Sequence, residues 1–306
     1  MKYFVVLLFL TLILSCTENE NLHDELNDTK IEIYLVEEND QGFFNSETEL
    51  NSLKTDEMPW LKHAEILFYD WSSHMFFLKN EKEKGKYATR NFIVKANGES
   101  LFAGVFFPAY MSSIPQIPAI WAHDNLFVPE DVVAFGQFGY SFTGDIEGQL
   151  DFKQALIASG LYRGGINVEL VKVKRVNSKK LEYTFKVKNI DVVNIYVLDP
   201  QKMGAARFHY FTNGVSVQVE QTSYFPNLES TSTQNIELDW YKKLHPGESI
   251  TRTIELEGYH NLPSGKVSCR FVFPGSQVEK GEWNRPDGRI WLGNYLTEKE
   301  FIFRKN

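Results

Sequence analysis

Two short groups of residues hold the side chains best suited to chemistry or ligand binding. One lies in the run Asp70-Trp71-Ser72-Ser73-His74 and the other in Trp121-Ala122-His123-Asp124. Together they contain two histidines and two aspartates, which are metal-binding residue types, and the serine, histidine and aspartate of a hydrolytic triad. The candidate ligand contacts are Asp70, Trp71, His74, Trp121, His123 and Asp124.

The local pattern favours structural roles for the first group. It lies between the apolar segments 66–68 and 76–78, which predicts two strands joined by a tight turn. An aspartate in a turn accepts a hydrogen bond from the backbone N–H two residues on, so we expect Asp70 to cap this turn. Neighbouring residues of an extended strand point to opposite faces, so Ser73 and His74 would not meet one substrate. We place turn and core roles first and a binding groove second, and assign no catalytic residue, metal or cofactor.

The common local signatures of enzymes are missing from the sequence. It contains no His-Glu-x-x-His, Cys-x-x-Cys, Gly-x-Ser-x-Gly or phosphate-binding loop ending in Gly-Lys-Ser/Thr. Triads and carboxylate pairs are assembled from distant parts of a chain, so this absence gives only modest support to a non-catalytic protein.

Aromatic residues crowd the chain between Phe107 and Phe142. We expect residues 108–149 to form a long irregular loop region, and such loops often carry function. The rings would either form a platform for a sugar or partner protein or close the open end of a core, and the core role is the first expectation. They are Phe107, Tyr110, Trp121, Phe127, Phe135, Phe138, Tyr140 and Phe142.

The first sixteen residues resemble a bacterial lipoprotein signal. A basic start, Met1-Lys2, is followed by an apolar run to Leu14, and Ser15 precedes Cys16. An apolar run of about a dozen residues is too short to span a bilayer, which takes about 20, so cleavage is favoured over an uncleaved anchor helix. The resemblance implies that residues 1–15 are removed and that Cys16 is lipidated.

The composition after the signal predicts a tethered envelope protein. Residues 16–30 are acidic and polar and cannot bury enough surface to fold. One lysine lies in residues 1–15, so the rest carries 31 basic and 40 acidic residues, a net charge of −9, which argues against nucleic acid as a partner. We expect attachment to the lipid bilayer through acylated Cys16, at the outer membrane of the cell envelope.

The remaining chain is expected to divide at Gly164-Gly165. The front region, residues 31–163, reads as a small α+β domain. Its Asn97-Gly98 pair between apolar runs predicts a type I′ hairpin, and the spacing of apolar residues predicts a helix from about Asp151 to Gly160. The charged run 81–86 reads as a solvated loop.

The sandwich region, residues 165–306, alternates like an all-β domain and is expected to fold alone. Residues 181–188 and 266–273 alternate between apolar and polar, which makes Cys269 a core residue. Asn213-Gly214 predicts a second hairpin and places His209 in a strand. Trp283 and Trp291, beside Arg285 and Arg289, would either form an exposed patch or pack the last loop onto the sandwich.

Turn sequences in the sandwich region resemble those of bacterial immunoglobulin-like domains. They are Leu244-His245-Pro246-Gly247-Glu248-Ser249, Leu262-Pro263-Ser264-Gly265-Lys266 and Ile290-Trp291-Leu292-Gly293-Asn294-Tyr295, followed by Phe301-Ile302-Phe303. The resemblance covers residues 165–305 and implies an antiparallel β-sandwich. It implies no activity.

Two functions fit these observations. The first is a non-catalytic binding or interaction module, in which the sandwich is a scaffold and the front region contacts a glycan or protein. The second is an exported hydrolase that acts on a polymer with acids from the front loops. The missing motifs, the resemblance and the tether favour the first. Two carboxylates about 5–10 Å apart in one cleft would favour the second.

Overall fold

The computed structural model describes residues 29–37, 50–108, 117–122, 128–136, 150–228 and 236–304. Within these ranges the protein is mostly β, as the sequence predicts, and no helix is long and apolar enough to cross a membrane. The signal-like segment, Cys16 and most of the predicted tether lie outside the described residues.

The front region contains two four-stranded sheets and a helix. Its elements are β1 (Ile31–Leu35), β2 (Ile66–Asp70), β3 (Met75–Leu78), β4 (Asn91–Ala96), β5 (Glu99–Phe107), β6 (Ala119–Trp121), β7 (Val132–Ala134), α1 (Leu150–Ala158) and β8 (Tyr162–Arg163), with 3₁₀ turns at Leu50–Ser52, His63–Glu65 and Gly85–Tyr87. Sheet I has the order β1-β4-β5-β6 and sheet II the order β7-β3-β2-β8.

Two local predictions for this region are confirmed. Asn97 and Gly98 have φ angles of 49° and 85° and join β4 to β5, so they form the expected hairpin turn with positive φ at both positions. The predicted helix is α1, and Gly160 follows it with φ of 72°, which is the left-handed conformation that ends many helices.

The front core lies between sheets I and II. Ile31, Ile33 and Leu35 alternate inward from β1 and belong to the same buried cluster as Tyr69 and Phe76 of sheet II. The helix contributes Phe152, whose ring centroid lies 5.2 Å from that of Tyr69 and 5.1 Å from that of Phe102. Alternation in β1 therefore gives one buried face, as the sequence predicts.

The sandwich region is built from three further sheets. Its elements are β9 (Ile166–Asn177), β10 (Lys180–Asn189), β11 (Asn194–Leu198), α2 (Pro200–Met203), α3 (Ala205–Thr212), β12 (Val215–Val219), β13 (Thr222–Tyr224), β14 (Tyr241–Leu244), β15 (Ser249–Glu257), β16 (Gly265–Phe273), β17 (Asn284–Arg285), β18 (Gly288–Ile290) and β19 (Tyr295–Phe303), with a 3₁₀ turn at Leu238–Trp240. The sheet orders are β15-β10-β9, β13-β12-β16-β19 and β14-β11-β18-β17.

Strands β10 and β16 pack their apolar faces against each other. Phe185 of β10 lies 5.0 Å from Phe271 of β16 between ring centroids, and Tyr183 and Cys269 are fully buried nearby. Burial raises the pKa of the Cys269 thiol to about 12, so this cysteine is an unreactive core residue at neutral pH. The predicted alternation of both strands is confirmed.

Sheet II is buried on both faces and belongs to both regions. Tyr69 and Phe76 face the front core, whereas Met75 and Phe77 belong to the buried cluster of the sandwich region. The Phe77 ring centroid lies 4.7 Å from that of Trp283. The two regions therefore share a hydrophobic core across the boundary expected at Gly164-Gly165, and independent folding of residues 165–306 stays a prediction.

Three sequence predictions are wrong. Residues 108–149, expected to form an irregular loop region, contain strands β6 and β7, which pair in sheets I and II. Residues 208–211 lie in α3 rather than in a strand, and Asn213 ends that helix with φ of 54°, so Asn213-Gly214 is not a hairpin turn. Lys84, in the charged run read as solvated, is 1% exposed. Its Nζ donates a hydrogen bond to the Val132 carbonyl at 3.1 Å, and this contact brings the run back against sheet II.

Candidate functional site

The turn 71–74 joins β2 to β3, and Asp70 caps it as predicted. Asp70 Oδ1 accepts hydrogen bonds from the Ser72 N–H at 2.8 Å and from the Ser73 N–H at 3.2 Å. The Ser72 hydroxyl also donates to Asp70 Oδ1 at 2.7 Å. One carboxylate oxygen therefore satisfies three donors and fixes the conformation of the turn.

The second oxygen of Asp70 takes part in a buried charge network. Arg289 Nη1 lies 2.6 Å from Asp70 Oδ2, and Arg289 Nη2 lies 2.7 Å from Asp191 Oδ2. All three side chains are at most 3% exposed. Burial disfavours the charge on Arg289, but the two carboxylates outweigh it and raise the pKa of the guanidinium. Asp70 thus links the two regions and faces away from solvent, so it is not available to a ligand.

Ser72 is also committed to this junction. Its Oγ accepts hydrogen bonds from the Trp291 Nε1–H at 2.9 Å and from the Ile166 N–H at 3.1 Å. The donated proton goes to Asp70 rather than to a histidine, which a serine nucleophile would need. The arrangement excludes Ser72 as the nucleophile of a triad.

Trp291, Trp283 and Arg289 are all buried, so of the two roles considered for them, packing is the one observed.

Trp71 and His74 remain at the surface beside Asp70. Both are half-buried, and their ring centroids lie 5.5 Å apart. His74 Nδ1 lies 3.1 Å from the hydroxyl of the buried Tyr69, which fixes the imidazole in place. Two candidate contacts are therefore held on one rigid turn.

Two residues that were not singled out in the sequence complete this surface. Lys153 of α1 places its Nζ 5.2 Å from the ring centroid of Trp71 and 5.5 Å from that of Tyr162, and both residues are half-buried. We call Trp71, His74, Lys153 and Tyr162 the aromatic patch. Lys153 directly follows the buried Phe152, and Tyr162 directly follows the buried Leu161. This position next to a core residue is the only sequence feature that points to either of them.

Trp121 is connected to the turn through strand β7. The Trp121 Nε1–H donates a hydrogen bond to the Gly136 carbonyl, and the N–H of the preceding Phe135 donates to the His74 carbonyl at 2.8 Å. Trp121 and the turn 71–74 therefore lie at the same end of β7. Trp121 is half-buried, and its ring centroid lies 5.8 Å from that of Phe107.

The remaining aromatic residues of the segment 107–142 and the remaining candidate contact residues are either buried in the core or lie outside the described residues. Phe107 and Phe135 are buried, as expected for core residues. The described residues contain no group of three or more His, Cys, Asp or Glu that could hold a metal ion. Outside the described residues lie His123, Asp124, Tyr110, Phe127, Phe138, Tyr140 and Phe142.

A cleft of about 340 Å³ lies elsewhere on the front region, between segments 56–60 and 82–87. Its floor includes Trp60, which is 6% exposed and packs edge-on against Phe106 with ring centroids 4.8 Å apart. Its rim carries charges of both signs and two apolar side chains, namely Asp56, Lys82, Glu83, Lys86, Met58 and Tyr87.

Comparison with known proteins gives little more. No family model matches the chain, and no curated protein does. Among solved structures it is similar to two crystal structures of a β-glucosidase from Kluyveromyces marxianus, one in complex with glucose and one labelled with selenomethionine. The identities are 18% and 17%, and each match covers 46% of this chain and 14% of the enzyme chain with a TM-score of 0.20. Similarity at that score does not establish a shared fold.

Proposed function

We propose that the protein is an exported, lipid-anchored binding module of the cell envelope, which contacts a glycan or protein partner through the front region. The carrying observation is the aromatic patch. Its rings and its cation are held by contacts with the buried Tyr69 and with helix α1, so little side-chain entropy remains to be lost on binding. Aromatic side chains at fixed, partly exposed positions are typical of residues that contribute most to binding.

The anchor part of the proposal rests on the sequence alone. The apolar run to Leu14, the small Ser15 and the following Cys16 match the order of a lipoprotein signal. A polar segment of 14 residues after the cysteine would span on the order of 20 Å as a coil. A segment of that length would separate the folded front region from the lipid surface.

The competing function, an exported hydrolase, is supported by one feature, which is that Asp56 and Glu83 line one cleft. A glycosidase needs one carboxyl group that stays protonated because it is buried. Here Asp56 lies 3.4 Å from Arg90, Glu83 lies 2.7 Å from Lys86, and the two carboxylate side chains are 40% and 58% exposed. Neither carboxylate is buried apart from cations as the acid of a glycosidase is, so we place binding before hydrolysis.

The anchor is tested by replacing Cys16 with serine. We expect the variant to remain an unprocessed precursor, because the thioether bond to the lipid requires sulfur. The wild-type protein should partition into the detergent phase, since two or more acyl chains give stable anchoring. Processing at residue 15 and membrane attachment of the serine variant would show that the lipoprotein interpretation is wrong.

The contact surface is tested with Trp71→Ala in the mature lipidated protein. Labelled protein is applied to a glycan array. In a second assay it is mixed with envelope fractions, and the bound partners are then photocrosslinked. We expect Trp71→Ala to lose the signals that wild type gives, whereas the control Phe225→Ala, which removes a 65% exposed ring of the sandwich region, keeps them. Equal binding by both variants would contradict the assignment. The thermal midpoints of Trp71→Ala and of Trp71→Phe, which retains an aromatic ring in the packing, are measured as well. They show whether a loss of binding comes from the lost ring contact or from a loss of stability.

A further inference from the structure

The cleft between segments 56–60 and 82–87 holds polar groups in fixed positions. Lys82 Nζ lies 3.0 Å and 3.1 Å from the two carboxylate oxygens of Glu65 and 5.7 Å from the ring centroid of Trp60. Lys86 Nζ lies 2.7 Å from Glu83 Oε2 and 5.0 Å from the ring centroid of Tyr87. Each ammonium group therefore has both an ionic and an aromatic contact that position it over the cleft.

The charges that line the cleft balance. Lys82 and Lys86 supply hydrogen-bond donors, and Asp56 and Glu83 supply acceptors, so the lining has no net charge. A negatively charged ligand would meet the two carboxylates, and a positively charged ligand would meet the two ammonium groups. A purely apolar ligand would remove these charged groups from water without replacing their hydrogen bonds, which is costly.

The apolar part of the cleft is small and accessible. Met58 is 63% exposed at the rim, Tyr87 is half-buried, and Pro59 lies between Met58 and the buried Trp60 in the chain. The side chains of Met58 and Pro59 and the ring face of Tyr87 can contact C–H groups of a ligand. The volume of about 340 Å³ falls within the roughly 300–1,000 Å³ typical of small-molecule sites.

We infer that this cleft binds one neutral sugar unit of a glycan. Hydroxyl groups both donate and accept hydrogen bonds, so an uncharged sugar pairs with the carboxylates and the ammonium groups together, while its C–H groups lie on Met58 and Tyr87. The inference rests on the proposed binding function and names its ligand class. It adds a contact site that is separate from the aromatic patch.

The test is titration calorimetry with the mature lipidated protein in a detergent that has no sugar headgroup. The probes are neutral trisaccharides of glucose, galactose, mannose and N-acetylglucosamine, together with trigalacturonate and the trimer of N,N,N-trimethylglucosamine, whose quaternary ammonium groups stay charged. We expect at least one neutral probe to bind at least about tenfold more tightly than both charged probes, because like charges in the cleft repel the latter.

Two variants with matched controls locate the binding. Met58→Ala and Lys86→Met should each weaken the neutral probe by about tenfold, the loss that follows from one contact or one charge-assisted hydrogen bond. Leu238→Ala removes a similarly exposed apolar side chain, at 67%, and Lys266→Met breaks another exposed ion pair. Neither control should change binding.

Three results would overturn the inference. They are the failure of every neutral probe to bind, tighter binding of a charged probe, and equal affinity of the cleft variants and their controls. None of these results decides the proposed function, because that function is tested at Trp71 and Cys16. Release of reducing sugar from a bound probe would instead identify the cleft as hydrolytic and would contradict both binding proposals.

Discussion

Replacing Arg289 with methionine tests whether buried charges hold the front region on the sandwich region. The change leaves Asp70 and Asp191, both 0% exposed in their side chains, without a cation. Removing one partner of a buried ion pair costs about 3–5 kcal/mol, and here one guanidinium serves two carboxylates, so we expect a loss of about 4 kcal/mol in the free energy of unfolding. Methionine keeps apolar volume near the Phe68 and Phe77 rings, over which the guanidinium lies at 5.2 Å and 5.6 Å, so the loss reports mainly the charge.

A rescue variant separates charge from packing. Adding Asp70→Asn and Asp191→Asn to Arg289→Met removes every buried charge of the network, and Oδ1 of asparagine can still accept from the Ser72 N–H. We expect the triple variant to regain at least about half of the loss. As a control, Lys299→Met breaks the exposed ion pair with Glu169 and should cost no more than about 1 kcal/mol.

Urea unfolding followed by circular dichroism and by tryptophan fluorescence measures these differences. The reasoning is refuted if Arg289→Met shifts the urea midpoint no more than Lys299→Met, or if the triple variant is no more stable than Arg289→Met. For wild type, we expect the two signals to change together, because sheet II contributes to both cores. Separate transitions would show that the two regions unfold independently.

Single positions and one fragment give three more measurable outcomes. Burial lowers the pKa of His209 from 6.5 to about 4, so the unfolded chain binds the extra proton between these values. The contribution of His209 to the free energy of unfolding should be fully present above about pH 6.5 and should fall by up to about 3 kcal/mol as the pH drops toward 4. The urea midpoint of His209→Asn should depend less on pH over this range. Gly165→Ala should lower the thermal midpoint more than Gly247→Ala: both positions have positive φ, which costs about 1–2 kcal/mol for alanine, but only a Cβ at 165 would overlap Ser72 and Asp70. The fragment 165–306 should melt below the full chain and bind a hydrophobic dye, because it lacks the sheet that covers Trp283, and equal melting temperatures would contradict the shared core.

The strands with one buried face could be predicted from sequence. In β10, Leu181, Tyr183, Phe185 and Val187 are fully buried while the residues between them are less so, and this is the pattern that period two describes. Strands β2 and β3 have apolar residues on both faces, and the sequence predicted the pair only because the turn between them is strongly marked.

The error at α3 arose from two ambiguous signals. Phe208 to Phe211 is rich in aromatic residues, which favour strands, and Asn-Gly serves equally as a hairpin turn and as a left-handed helix end. The sequence marks a helix start only upstream, at α2, and α3 itself follows Gly204 without a side-chain cap. Asp199 caps α2 through the Gln201 N–H at 3.0 Å, with Pro200 at the first helical position.

The site could be predicted only where its contacts are local. The capping role of Asp70 depends on residues two and three positions away and was predicted. Its ionic partner Arg289 is distant in sequence, and no spacing rule connects the two. The same limit applies to Lys153 and Tyr162, which reach Trp71 only because β8 pairs with β2 within sheet II and α1 lies beside it.

The double burial of sheet II also sets a time order for folding during synthesis. Residues 66–78 leave the ribosome long before Trp283, which packs on Phe77 and lies 205 residues after Leu78. At about 5–20 residues per second, the second face of this hairpin stays uncovered for roughly 10–40 s. We expect the uncovered hairpin to need protection by a chaperone until the chain as far as Trp283 has emerged, before export as well as after it, and slower synthesis between β3 and β18 to lower yield without changing the stability of the folded protein.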